Sequence, residues 1–145
     1  MKKNHILTNI TITSLGYGGV GIARLSDGKK ILIKGALPQS IVDVAVVKKK
    51  KDYVEGRIVR VHSVDEQWLD GEVKCPHYMF SYERDSHAVS LQEHKKGCGG
   101  CKWQVVGYAR QLELKHAIVK DCFGKVAHAH GSVDVAPVLP SPLQR

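Results

Sequence analysis

GKKILIKGALPQSIVDVAVVKKKKDYVEGRIVRV, residues 28–61, is the stretch whose reading decides the fold. Val42, Val44 and Val46 share one parity and Asp43 and Ala45 the other, which is the period of a half-buried strand. Upstream, Ile6, Ile10 and Ile12 share a parity in the same way. Between such runs lie the glycines of SLGYGGVGIA, the turn SDGKK and the connection GALPQS, so the strands are short and joined by turn chemistry. Strands are expected at 5–13, 19–26, 30–34, 41–50 and 53–63. An open sheet that small would leave both edges unprotected, so these strands predict a closed or nearly closed antiparallel barrel.

An OB-like barrel of about five strands is therefore the expected architecture for residues 1–63, in a mainly β chain. Residues 64–102 show no sustained period and hold Cys75, Cys98, Cys101, His77, His87 and His94 with little to build a core, so an irregular segment ordered by a bound metal is expected. After Trp103 the period changes. Val105, Tyr108, Leu112, Val119, Cys122 and Val126 recur at three, four and seven, predicting one amphipathic helix with Gly124 near its end. The closing SVDVAPVLPSPLQR cannot continue a helix through its prolines and is expected to be a strand or linker. Residues 103–145 are thus the helix and linker that begin a further part.

At 145 residues the chain has room for one ordinary domain or a small domain with an appendage. A net charge of +8 and a pI near 9.4 predict attraction to polyanions, of which nucleic acid is the expected partner. The start MKKNHILTNITITSLG lacks the unbroken apolar stretch of a signal peptide, and the longest apolar run, IVDVAVV, contains an aspartate. A cytoplasmic protein without a membrane partner is expected, in which four cysteines serve as metal ligands, redox groups or core residues rather than disulfides.

The sequence GCGGC at 97–101 sets Cys98 and Cys101 around two glycines that let both thiolates face one point. Cys75 is followed by Pro76, and a Cys-Pro pair and C-x-x-C spacing both accompany iron–sulfur ligands. A structural zinc or cubane site asks for four protein ligands, so the fourth would be Cys122, a histidine such as His77, or a group outside the chain. Cys122 falls on the apolar stripe of the expected helix and is expected to be a core thiol. A redox pair would need strands alternating with helices, and the strands here are spent on a barrel.

A second set of residues is basic and aromatic: Tyr17 in the glycine loop, Lys34, the run Lys48, Lys49, Lys50 and Lys51, then Tyr53, Arg57 and Arg60. Barrels of this kind bind single strands through a positive groove and rings on which bases stack. Four consecutive lysines cannot all lie on one face of a strand, so some of that charge is only solvated. No phosphate loop, paired carboxylates or nucleophile with its base is present.

SLGYGGVGIARL and the stretch from Gly28 to Val61 resemble a TRAM domain, the small RNA-binding barrel at the front of many RNA-modifying enzymes. CPHY, CGGCKWQ, YARQLELKHAIV and PVLPSP resemble the segments that follow it in the bacterial RNA (uracil-5-)-methyltransferases, which act on ribosomal or transfer RNA. The resemblance implies that Cys75, Cys98 and Cys101 are three ligands of a [4Fe-4S] cluster whose fourth lies further along. It departs from the family in two places: PHYMFSYERDSHAVSLQEHKKG separates Cys75 from Cys98, and LPQS replaces the usual proline, glycine and glutamate. For the intact enzyme it implies S-adenosylmethionine, a cysteine that adds to C6 of uracil, methyl transfer to C5 and loss of the C5 proton. None of those groups is expected here. The chain alone should bind RNA, with no DNA expected, and should not methylate it. The rival expectation is a self-contained RNA-binding or chaperone module with a structural zinc site.

Overall fold

A computed structural model describes residues 5–85, 88–93, 97–98, 100–131 and 133–142. The strands are β1 (Ile6–Thr11), β2 (Ser14–Gly16), β3 (Val20–Arg24), β4 (Lys30–Lys34), β5 (Ile41–Lys49), β6 (Tyr53–Ser63), β7 (Phe80–Asp85) and β8 (Ala88–Glu93), followed by helix α1 (Tyr108–His130). The first six form one sheet in the order β1-β5-β6-β4-β3-β2. Its two end strands are halves of one stretch, bent at Ile12 and Thr13. The Ile12 N–H donates to the Ser40 carbonyl at 2.9 Å and the Thr13 N–H to that of Ile22 at 2.9 Å. The chain thereby leaves β5 and joins β3, so the sheet closes on itself without a long bare edge.

Two expectations about the barrel are corrected. The first strand does not stop near residue 13 but continues as β2, giving six strands rather than five. The barrel is also not wholly antiparallel: β4 pairs with β6 in parallel, from Lys30 opposite Tyr53 to Lys34 opposite Arg57. The cause is connectivity, since β5 crosses between them and pairs antiparallel with β6.

Alternation sorts the side chains as the sequence suggests. Ile31, Ile33, Val42, Val44, Val46 and Val54 are buried inside with Ile12, Ala23, Ile58 and Val61, each worth about 1.5–3 kcal/mol for the larger side chains. The interior is tight enough that a methyl group on Gly56 would run into Val44 Cγ1.

The segment after Ser63 is better ordered than its lack of period implied. A 3-10 turn at Glu66–Leu69, the turn from Cys75 to Tyr78 and the hairpin β7–β8 carry Trp68, Tyr78 and Phe80 in that order into a second core with Leu15, Leu37, Val105, Val106 and Leu114. These aromatic residues are delivered by two turns and a strand, and no repeat in the sequence marks them. The hairpin seats on the β4–β5 connection: the Phe80 ring covers Gly35, and the Tyr82 hydroxyl donates to the Gly35 carbonyl. Gly35 adopts φ 73°, open to glycine at little cost.

Helix α1 begins at Tyr108, after a turn in which Val106 N–H donates to Trp103 O at 3.0 Å. The Asp70 carboxylate accepts from the Gly107 N–H at 2.7 Å, placing negative charge at the helix N-terminus. Arg110 lies over the Trp68 ring, 5.9 Å from its centroid. Gly124 does not end the helix, which runs on to His130. Nor is Cys122 a core thiol. It is exposed, as are Val119, Phe123 and Val126, because the helix docks on the second core through Leu114 and Ile118, closer to its start. The described tail, 133–142, forms no strand, and its Ser141 N–H donates to the Tyr108 hydroxyl at 2.7 Å.

Candidate functional site

Three outward-facing rows cross β3, β4 and β6. Register sets Arg24 opposite Lys30 and Lys30 opposite Tyr53; next Ile22, Leu32 and Glu55; then Lys34 opposite Arg57. Directly paired residues share a face, so cations at both ends flank a partly buried apolar strip. Arg24 and Lys30 were missed in the sequence reading. Their signal was parity: Lys30 shares the face of Lys34, and Arg24 shares that of Ile22.

Of the other members of the basic and aromatic set only Lys48 shares this face, beside Glu55. Lys48 faces Glu55 across the β5–β6 ladder, Lys49 lies opposite the inward Val54, and Lys50 and Lys51 are in the turn, where Lys50 N–H donates to Tyr53 O at 2.9 Å. The run thus divides among different directions. Arg60 lies beyond the end of β4, opposite Asp43. Asp43 accepts from the Asn9 backbone N–H at 2.9 Å and bonds His62 Nε2 at 2.7 Å. These two contacts, the amide first, hold its carboxyl below the usual carboxylate range. Tyr17 is 89% exposed in the glycine loop, beside Gly18 and Gly19, which line the same cleft as Cys75 and Cys101.

The cysteine segments are drawn together by the backbone. Cys75 opens a turn closed by Tyr78 N–H on Cys75 O at 3.1 Å, and the Cys98 N–H donates to His77 O at 2.6 Å. The Cys75 N–H donates to Gln104 Oε1 at 3.2 Å, and the Tyr78 hydroxyl donates to Lys102 O at 2.8 Å. Burial raises the pKa of that hydroxyl to about 12, so it remains a donor. The long insertion between Cys75 and Cys98 contains the hairpin β7–β8, which returns the chain to the Cys75 turn. Cys75 and Cys101 line an open cleft of about 1440 Å³ with Gly18, Gly19, Trp103 and Tyr108.

All four cysteines are free thiols, with Cys98 and Cys101 exposed and Cys75 half-buried. Among the described residues no group of three or more Cys, His, Asp or Glu is placed to hold a metal ion. Three thiols are also one short of the four protein ligands of a structural zinc or cubane site. The described residues do not by themselves fit a complete metal centre. His87 and His94 lie outside the described residues.

A family model for the TRAM domain matches residues 8–59, the stretch from β1 into β6. The barrel and the parts after it align together with longer proteins. Over 141 residues, 97% of the chain, it is 30% identical to the 23S rRNA (uracil(1939)-C(5))-methyltransferase RlmD of Legionella pneumophila, covering 27% of that protein. It is 33% identical over 92% of its length to an uncharacterized RNA methyltransferase of Gloeobacter violaceus, covering 25% of it. A conserved protein of Methanococcus maripaludis, solved in solution, is similar at 29% identity and a TM-score of 0.37 over 41% of this chain and 81% of that one. The chain spans about a quarter of the length of the curated relatives it matches. Among its described residues no helix is long and apolar enough to cross a membrane.

Proposed function

We propose that the chain is the RNA-holding N-terminal part of a cytoplasmic, S-adenosylmethionine-dependent RNA (uracil-5-)-methyltransferase that makes 5-methyluridine in ribosomal or transfer RNA. The observation that carries this reading is the alignment of nearly the whole chain, TRAM barrel and cysteine segment together, with part of an enzyme named for methylating uracil C5 in 23S rRNA. The TRAM barrel holds RNA around a uridine that must leave any stack it occupies. Tyr17, Lys34, Lys48 to Lys51, Tyr53, Arg57 and Arg60 are its candidate contacts, joined by Arg24 and Lys30.

Cys75, Cys98 and Cys101 are proposed as three ligands of a [4Fe-4S] cluster, the fourth coming from another group. The backbone bonds between the Cys75 turn and Cys98 support this assignment. Iron, acid-labile sulfide and zinc are to be assayed on chain purified without oxygen, beside Cys98→Ser. Iron and sulfide lost in the variant are expected; tightly bound zinc points instead to a self-contained module.

Methyl transfer itself is assigned to the intact enzyme. Labelled S-adenosylmethionine is to be incubated with this chain and 23S rRNA, with retention of the RNA measured in parallel. RNA retained without label in uridine is the expected result. Label transferred to uridine by the chain alone would overturn its assignment as a holding part.

A further inference from the structure

We propose that the outer face of β3, β4 and β6 is a platform for single-stranded RNA, with phosphates on two cationic rows and a base against Tyr53. The proposal rests on the reading of the barrel as RNA-binding and adds which face is used and which form of RNA it takes. Arg24 and Lys30 form one row with Tyr53, and Lys34 and Arg57 form the other. Lys30 and Lys34 are four residues apart on one strand, so at roughly 3.3 Å per residue the rows stand about 13 Å apart. Among the described residues none of these four cations is in an ion pair. Their charge is available to a polyanion.

The row between them selects the form of the RNA. Ile22 and Leu32 are half-buried and offer an apolar floor, and Glu55 disfavours a phosphate there while offering an acceptor to a base N–H. Phosphates are therefore directed to the two cationic rows and bases to the middle. A duplex keeps its bases stacked inside and could use neither the floor nor the ring, whereas an unpaired strand uses both. Of the lysines at 48–51 only Lys48 shares this face, as the direct partner of Glu55 at the end of the middle row; Lys49 lies opposite Val54, and the other two are in the turn.

The test is fluorescence anisotropy of this chain with a labelled RNA of about twelve nucleotides, within the roughly 4–16 that one such fold engages, and with its duplex, across a salt series. Lys30→Gln with Arg57→Gln removes two charges from the platform; Lys50→Gln with Lys51→Gln removes two from the turn. The platform variant is expected to lose at least about tenfold in affinity at 0.1 M salt, with its log–log salt slope shallower by about 1.4, from about 0.7 per phosphate contact. The turn variant is expected to lose less than about threefold. Tyr53→Leu is expected to weaken single-strand binding about tenfold with an unchanged slope. Circular dichroism of each variant checks that it is folded.

A turn variant that loses as much as the platform variant overturns the proposal while leaving the barrel RNA-binding. Duplex bound as tightly as single strand overturns the single-strand assignment. Wild-type chain that binds no RNA overturns the RNA-holding reading itself, and this proposal with it.

Discussion

The indole of Trp103 lies against Gly19: a methyl group on that glycine would stand 2.7 Å from Trp103 Cζ2 and 3.2 Å from its Nε1. The contact joins the glycine loop of the barrel to the residue two places after Cys101, so barrel and cysteine segment are packed as neighbours.

Gly19→Ala is accordingly expected to destabilise the chain by about 2–4 kcal/mol, from overpacking together with the left-handed backbone at φ 73°. Gly18 has the same φ but nothing within 4 Å of its missing methyl, so Gly18→Ala should lose only about 1–2 kcal/mol. Urea midpoints of the two variants check the difference. Equal losses would mean that Trp103 yields without cost.

Asp43 predicts an acid limit on stability. Its carboxyl is held below the usual range by the Asn9 amide first and His62 second, so the folded state favours its charged form. That contribution is present above the unfolded carboxylate range near pH 4 and is lost as pH falls through the lower folded value. Asp43→Ala should lower the melting temperature at pH 7, and the gap from wild type should close as the pH is taken below about 4. A gap that stays constant with pH would assign the loss to packing around Asp43 instead.

Tyr78 and Tyr82 predict the opposite limit. Burial pushes the Tyr78 hydroxyl up to about 12 and the Tyr82 hydroxyl up as well. A folded pKa above the unfolded value near 10 gives stability that is complete below pH 10 and lost as pH rises toward the folded value. Ultraviolet titration should show the phenolates of these two forming together with unfolding. Tyr82→Phe removes the bond to the Gly35 carbonyl and should destabilise the chain by about 1–2 kcal/mol.

The barrel was legible because alternation is a local signal: Ile31 and Ile33 inside, Lys30 and Lys34 outside, needs only one strand. The parallel pairing of β4 with β6 was not, since it follows from how β5 crosses between them. The platform was half-legible for the same reason. Lys34, Tyr53 and Arg57 stand out beside the lysine run, but only register places Arg24 and Lys30 among them and sends Lys49 to Val54. In the second core, Trp68, Tyr78 and Phe80 come from a 3-10 turn, a turn and the start of β7, so their convergence on Leu15 and Leu37 is tertiary. Cys122 shows the limit of a helical wheel, which gives a stripe but not how much of its length is docked.

That limit makes a last prediction about α1. Leu114 is 7% exposed within the second core, whereas Phe123, nine positions later, is 46% exposed. If docking rather than helix formation holds this end of the chain, Leu114→Ala should destabilise it by about 2–4 kcal/mol. Phe123→Ala should change stability by less than about 0.5 kcal/mol, although phenylalanine is the larger side chain. Thermal melts followed separately by tryptophan fluorescence and by helical circular dichroism read the two effects. Trp68 and Trp103 both pack in the second core, so Leu114→Ala should shift the fluorescence transition. A comparable loss in Phe123→Ala would mean that the outer part of the helix is covered in solution by a surface of this chain or of a second copy.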